Sequence, residues 1–332
     1  MQILSSYLKL IRIPNLLFIV LVQFCMQEAV ISPILQQYGF EPLGLSLPFF
    51  LLVAATVLIA AGGYVQNDYF DMKIDMINKP EKRIVGNTVS KQAAMRYYQV
   101  LTVLGVICGL FLSYWAGSFT LALIFILVPG LLWFYSSNYK RQFMIGNIVV
   151  SFATSLSVLI VAVTEMAFLV NEYHDLLFTT PIPKNIYGWV TGFSLFAFVL
   201  TWIREIIKDI EDEKGDREME CRTMPIKWGI KKTKTFIYVL IVFTIVALLW
   251  VNKAYIHFEG SLTFRYISFG LIIPLIVLIY LIAKARRRID YHQAATLSKV
   301  IMLIGVLYAF IFYYLQAKTF GFPLFGLFII NA

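Results

Sequence analysis

Oxygen-bearing side chains recur at four-residue spacing in two short segments of the chain. The first segment contains Asn67, Asp71 and Asp75, and the second contains Asp212 and Asp216. Residues spaced by four lie along one face of a helix, so each segment should present its oxygens in one direction. Carboxylates this close repel one another unless a cation lies between them, and oxygen ligands without cysteine or histidine favour Mg²⁺. The two segments therefore predict a site for two or more Mg²⁺ ions around a diphosphate.

Basic residues accompany both acidic segments and would complete such a site. Cations next to a diphosphate stabilise the negative charge that develops on it as it departs. Both segments follow long apolar runs, so the substrate that suits them is a lipid-soluble diphosphate at a membrane surface. The nearby cations are Arg83, Lys140, Arg141, Lys208 and Arg217.

The elements that must position these segments are apolar enough to lie in lipid. Of the 332 residues, 60% are hydrophobic and 14% are charged, whereas a soluble domain carries about 25% charged residues. About 20 helical residues cross the hydrocarbon of a bilayer. We therefore predict an all-α polytopic membrane protein, a single nine-helix bundle over residues 1–332 with the site at its cytoplasmic end. The predicted spans are residues 15–35, 47–66, 98–116, 119–137, 146–168, 187–207, 236–252, 266–284 and 298–316.

The distribution of basic residues predicts the orientation in the membrane. With loops assigned alternately to the two sides, 24 of the 28 Lys and Arg residues fall on the side of the acidic segments. The positive-inside rule then predicts a cytoplasmic N-terminus and an external C-terminus in the cell (inner) membrane. The net charge of +9 is thus a topology signal and does not indicate a nucleic-acid partner. Glu28 and Glu165 are acidic residues inside predicted spans, and Glu165 is expected near a helix end, facing outward.

The two acidic segments resemble the motifs of the UbiA superfamily of intramembrane prenyltransferases. One matches its Asn-x-x-x-Asp-x-x-x-Asp motif, and the other matches its Asp-x-x-x-Asp motif. Residues 67–71 and 204–212 are most similar to the geranylgeranylglycerol-phosphate geranylgeranyltransferase branch. The resemblance implies Mg²⁺-dependent transfer of a prenyl group from an isoprenyl diphosphate to a lipophilic acceptor, here a glycerol-phosphate hydroxyl. Weaker matches are Arg12–Asn15, Asn78–Pro80, Arg83, Tyr135, Lys140–Arg141, Gly146–Asn147, Thr223, Pro225 and Gly229.

The resemblance also implies roles for individual residues. The four motif aspartates and Lys140 would be catalytic, and the aspartates would bind metal together with Asn67. The faces of Tyr69, Tyr135 and Tyr139 are candidates to stabilise an allylic cation in a cavity that excludes water. The residues assigned to substrate binding are Asn15, Asn67, Arg83, Tyr135, Tyr139, Glu205, Lys208 and Asp209.

Other functions compete with this interpretation. Within the same class, an aromatic prenyltransferase of quinone synthesis would use dihydroxynaphthoate or hydroxybenzoate as the acceptor. In a different class, a transporter or lipid-binding protein could use the acidic residues as an ion site, but transporters place such residues near the bilayer midplane. The sequence leaves the acceptor and the prenyl chain length open, and it indicates no protein partner.

Overall fold

Long helices dominate the fold. The structure, a computed structural model, describes residues 2–78, 80–256, 258–327 and 329. Within these residues, nine helices are long and apolar enough to cross a membrane, which confirms the predicted all-α architecture. The helices are α1 (Ile13–Gln37), α2 (Leu47–Phe70), α3 (Lys91–Trp115), α4 (Phe119–Ser137), α5 (Ile145–Tyr173), α6 (Ile182–Glu211), α7 (Met224–Ala254), α8 (Leu262–Lys284) and α9 (Arg288–Phe320).

Helices α6 and α9 each pack against several other helices. α6 packs against α5, α7 and α9, and α9 also packs against α1 and α8. One apolar core lies among α1 to α6 and α9 and contains Met26 and Phe312. A second core lies among α6, α7, α8 and α9 and contains Ile203 and Leu278. The second acidic segment therefore follows a helix that is packed on several sides.

The helices extend further toward the site than the sequence predicts. α9 begins at Arg288, whereas the predicted span begins at residue 298. Asp290 Oδ2 accepts hydrogen bonds from the backbone N of Arg286, over 3.0 Å, and of Arg287, over 2.9 Å, and so caps the earlier start. Hydropathy does not predict these turns, because they are helical but too polar to lie in the hydrocarbon of the membrane. They place Arg288 and His292 on the same helix as Lys299.

Close packing of α3 against its neighbours depends on glycines. A Cβ atom at Gly105 would lie 2.8 Å from Ile59 Cγ1 on α2, and one at Gly109 would lie 2.3 Å from Phe125 Cγ on α4. Small residues let membrane helices approach closely where lipid provides no hydrophobic drive for association. Gly105 and Gly109 therefore bring α3 against α2 and α4.

Adding a methyl group at Gly109 should destabilise the bundle. The Gly109→Ala substitution places a Cβ atom too close to the Phe125 ring, so the ring must move, at a cost of about 1–3 kcal/mol. The control is Gly130→Ala on α4, because no atom lies within 4 Å of the added Cβ. We expect a lower melting temperature in detergent for Gly109→Ala than for Gly130→Ala, and equal melting temperatures would contradict the packing argument.

A buried carboxylate anchors the connection between α1 and α2. Glu165 on α5 is 1% exposed, which corrects the expectation that it faces outward. Its Oε2 accepts a hydrogen bond from Gln27 Nε2 over 2.8 Å, and its Oε1 accepts one from the Leu43 backbone N over 2.8 Å. The side chain turns inward because these donors satisfy it, as a buried polar group requires.

Candidate active site

The first acidic segment keeps its helical register across a break between two helices. α2 ends at Phe70, and a short helix follows over Met72–Asn78. The backbone N of Asp71 donates to Asn67 O over 2.9 Å, and the backbone N of Asp75 donates to Asp71 O over 2.8 Å. Because these i to i+4 hydrogen bonds continue, the three residues lie along one face, as their spacing predicts.

The second acidic segment has the same construction. α6 ends at Glu211, and a short helix follows over Glu213–Glu218. The backbone N of Asp212 donates to Lys208 O over 2.9 Å, and that of Asp216 donates to Asp212 O over 3.2 Å. The two short helices that follow α2 and α6 pack against each other. This contact brings the two acidic segments together.

Lys140 contacts the first segment directly. It lies in a 3₁₀ turn, Tyr139–Arg141, after α4. Its Nζ donates to Asn67 Oδ1 over 3.2 Å and forms an ion pair with Asp71 Oδ2. Asn67 Nδ2 also donates to Asp71 Oδ2, over 2.9 Å. At the start of α5, a Cβ on Gly146 would lie 2.5 Å from Lys140 Cα, so glycine permits this close approach.

Negative charge accumulates between the segments. Burial and the carboxylates of Asp212 and Asp71 raise the pKa of Asp216 to about 6, although the Lys140 ammonium opposes this shift. Asp71 is buried, and its Oδ1 has no hydrogen-bond partner. An excess of carboxylate charge and a buried acceptor without a donor both suit a bound cation.

The donor set fits Mg²⁺ that is shared with a phosphate ligand. Over the described ranges, no three Asp, Glu, His or Cys side chains converge closely enough to hold a metal ion by themselves. Mg²⁺ is seldom enclosed by protein alone, and it usually takes one or two carboxylates together with waters and substrate phosphates. The facing segments offer oxygen ligands of this kind.

A cavity of about 490 Å³ extends from the first segment into the bundle. Its lining is polar at Asn67, Glu205 and Lys208 and mainly apolar elsewhere. The shape and polarity suit a molecule with an anionic head and a hydrocarbon tail. Large apolar residues of the wall are Phe18, Ile59, Phe125, Leu132, Leu156 and Ile160.

A polar network borders the cavity far from the acidic segments. Thr56 Oγ1 donates to Gln23 Oε1 over 3.0 Å, and Gln23 Nε2 donates to Ser157 O over 3.1 Å. Thr56 precedes Asn67 by three turns of α2, or about 16 Å at 1.5 Å per residue. This network joins α1, α2 and α5, and its Thr56 and Ser157 line the deep part of the cavity.

Paired cations surround the polar end of the cavity. Glu205 Oε1 accepts from Arg204 Nη1 over 2.6 Å, and Glu205 Oε2 accepts from Lys208 Nζ over 2.9 Å. Arg12 Nη2 forms a further ion pair with Asp68 Oδ1 over 2.6 Å. Because cations engage both Glu205 oxygens, this carboxylate is placed to hold Arg204 and Lys208 and not to accept a proton.

The predicted substrate-binding residues divide into two groups. Asn15, Asn67, Tyr135, Glu205 and Lys208 all line the cavity.

The other predicted residues lie outside its lining. Asp209 accepts a hydrogen bond from Asn147 Nδ2 over 2.8 Å, the Tyr139 ring lies 6.1 Å from that of Phe134, and Arg83 follows a 3₁₀ turn. Lys79 of the first motif's continuation is outside the described residues.

Sequence reasoning missed Arg288 and Lys299 as residues near the site. Arg288 Nη2 donates to Asp212 Oδ1 over 3.0 Å, and Lys299 lines the cavity. Both were interpreted only as topology signals. Their separation of eleven residues is three helical turns, so a correct helix start at residue 288 would have placed them on one face.

Residues 29–307 match the UbiA prenyltransferase family. The chain belongs to this family. The digeranylgeranylglyceryl phosphate synthase of Saccharolobus solfataricus is 31% identical over 244 residues, which are 73% of this chain and 76% of the relative. A solved structure of a digeranylgeranylglyceryl phosphate synthase in membranes aligns with a TM-score of 0.62 at 26% identity, over 95% of this chain and 99% of that one. A UbiA homologue from Archaeoglobus fulgidus, solved with GPP and Mg²⁺, aligns with a TM-score of 0.56 at 15% identity, over 90% and 98%.

Membership confirms the predicted family and enzyme class. This UbiA protein is an integral membrane prenyltransferase, and its reaction is transfer of a prenyl group from an isoprenyl diphosphate. Mg²⁺, the cofactor predicted from the oxygen ligands, is the ion found with GPP in the Archaeoglobus homologue.

Proposed function

We propose that this UbiA protein transfers a geranylgeranyl group from geranylgeranyl diphosphate to the free hydroxyl of geranylgeranylglyceryl phosphate, with Mg²⁺ as cofactor. One observation carries the proposal: two acidic segments meet beside Lys140 at the polar end of a cavity with largely apolar walls. The relative from Saccharolobus solfataricus, named as a digeranylgeranylglyceryl phosphate synthase, supports this acceptor.

The acidic segments would hold the donor head group. Mg²⁺, when bound, neutralises the diphosphate and polarises its bond to the allylic carbon. Lys140 adds a fixed positive charge beside the leaving group. The residues that would hold the metal are Asn67, Asp71, Asp75, Asp212 and Asp216.

The cavity would hold the hydrocarbon tail and protect the reacting carbon from water. In the transfer, the bond between C1 and the diphosphate oxygen breaks, and its electron pair leaves with the diphosphate. The acceptor hydroxyl oxygen bonds to C1, and its proton passes to the released diphosphate. Tyr135, which lines the cavity, would stabilise positive charge on the allylic group through its ring face. Excluding water prevents capture of this group by hydrolysis.

We also propose that the active site lies on the cytoplasmic side of the inner membrane. This orientation is supported by the basic residues, because 24 of the 28 Lys and Arg residues fall on the side of the acidic segments. The N-terminus would then be cytoplasmic and the C-terminus external, with one prenyltransferase domain over residues 1–332.

Replacing Lys140 with glutamine should lower kcat by about 10²-fold, because the leaving group loses a fixed positive charge. The Mg²⁺ concentration for half-maximal rate should not rise, since Lys140 pairs with an Asp71 oxygen that the metal would also use. Initial rates over a Mg²⁺ titration test both effects. The control is Lys214→Gln, an exposed lysine in the helix after α6. Equal kcat values for the two variants would exclude a role for Lys140 in the reaction.

A panel of acceptors tests the proposed function. Purified protein in lipid nanodiscs receives geranylgeranyl diphosphate, Mg²⁺ and either geranylgeranylglyceryl phosphate, dihydroxynaphthoate or hydroxybenzoate, and products are identified by mass. We expect the ether product with the glyceryl phosphate and no product with the aromatic acids. Prenylation of an aromatic acceptor instead would overturn the assignment.

A further inference from the structure

A second cavity, of about 690 Å³, lies beside the prenyl cavity. The two cavities share Arg204 and Lys208 from α6 and Lys299 from α9, a set we call the basic wall. Arg288 and His292 line the second cavity along the same face of α9 as Lys299. The basic wall therefore stands between two spaces large enough for ligands.

The basic wall carries more positive charge than its protein partners neutralise. Glu205 is the carboxylate that pairs with Arg204 and Lys208. Lys299 makes no hydrogen bond or ion pair with any residue in the part of the chain that the structure describes. Arg204 Nε is also buried without an acceptor. Glu81 and Glu211 also line the second cavity, but Glu211 pairs with Arg288. The three cations of the basic wall therefore have Glu205 as their ion-pair partner within the described residues, an excess of positive charge that favours a bound anion.

The basic wall is distinct from the proposed metal site. Lys208 and Arg204 precede Asp212 by one and two turns of α6, so they lie about 6 and 12 Å closer to the interior of the bundle. Their hydrogen bonds go to Glu205, whereas Lys140 pairs with Asp71. One end of the cavity thus offers two separate environments, one rich in carboxylates and one rich in cations.

We propose that the basic wall, with Lys299 as its unpaired member, binds the phosphate group of a phosphomonoester acceptor. This inference rests on the proposed function and adds the subsite that recognises the acceptor. A phosphomonoester carries about 1.5 to 2 negative charges at neutral pH, so its sign suits the positively charged wall. With the diphosphate at the acidic segments and the phosphate at the basic wall, the acceptor hydroxyl reaches C1 from the neighbouring cavity.

The test is a kinetic comparison of Lys299→Gln with wild type in phosphatidylcholine nanodiscs. We expect the KM for geranylgeranylglyceryl phosphate to rise about tenfold or more, the usual effect of losing a charged hydrogen bond. The KM for geranylgeranyl diphosphate and the half-saturating Mg²⁺ concentration should stay unchanged. Lys299→Arg should restore most of the acceptor affinity, and Lys318→Gln, at the other end of α9, should behave as wild type.

The remaining outcomes separate this inference from the proposed function. An unchanged acceptor KM in an active Lys299→Gln variant, or a raised donor KM, would overturn the subsite but leave the reaction intact. Inhibition of wild type by added phosphatidylglycerol that Lys299→Gln relieves would assign the wall to a lipid head group and overturn the acceptor subsite. Failure of the wild-type protein to use the glyceryl phosphate acceptor at all would reject the proposed function itself.

Discussion

Replacing Asp71 with asparagine should reduce prenyl transfer by roughly 10²–10³-fold, the usual effect of removing one electrostatic group from a transition state. Asparagine keeps the size of the side chain and can still accept a hydrogen bond from Asn67, so the helix end should stay intact. It removes the charge that pairs with Lys140 and the carboxylate whose Oδ1 lacks a partner. Initial rates of purified protein at saturating Mg²⁺ measure the effect.

The second segment provides a parallel variant and a matched control. Asp212→Asn should cause a loss of similar size, because both segments contribute ligands to one metal site. Glu213→Gln changes the adjacent carboxylate, which pairs with Arg217, and should leave the rate near wild type. Full activity of either aspartate variant in protein with a normal melting temperature would contradict a site built from both segments.

A large side chain at Ala60 should shorten the prenyl group that the enzyme accepts. Ala60 lines the cavity on α2, seven residues or about 10 Å before Asn67. A phenylalanine there would fill space that the far end of a geranylgeranyl tail needs, whereas a geranyl tail ends sooner. We expect Ala60→Phe to lower kcat/KM for geranylgeranyl diphosphate relative to geranyl diphosphate by at least about tenfold.

The control for Ala60→Phe adds the same ring outside the cavity. Val103 on α3 is 55% exposed on the outer surface of the bundle. Val103→Phe should leave the ratio of the two kcat/KM values unchanged, as measured in the same competition assay with both donors. If Ala60→Phe lowers kcat/KM equally for both donors, the cavity does not hold the tail as described.

Periodicity made the acidic segments predictable. Asn67, Asp71 and Asp75 share a face because helical hydrogen bonds continue past the end of α2, so the four-residue spacing alone predicted their alignment. The nine spans found among the described residues were predictable for a similar reason, since lipid imposes length and apolar composition on each helix. The proximity of Lys140 followed from its position at the end of a span on the same side.

Contacts between distant parts of the chain were not predictable in this way. Lys299 reaches the site because α9 packs against α6, and Arg288 does so because α9 starts ten residues before the predicted span. The network of Gln23, Thr56 and Ser157 joins three helices, and none of these residues stands out within its own span. Tyr139 has the aromatic ring that the predicted role requires. Its ring packs near that of Phe134, because the chain leaves α4 in a 3₁₀ turn at that point.

Binding of a non-transferable donor tests most directly the claim that both acidic segments hold the diphosphate through Mg²⁺. Geranylgeranyl thiolodiphosphate would be titrated calorimetrically into wild type, Asp71→Asn, Asp212→Asn and Glu213→Gln in nanodiscs, with Mg²⁺ or with EDTA. We predict Mg²⁺-dependent binding for wild type and Glu213→Gln, and at least about tenfold weaker binding for each aspartate variant. Equal affinity in EDTA and Mg²⁺, or undiminished affinity in either aspartate variant, would contradict the account.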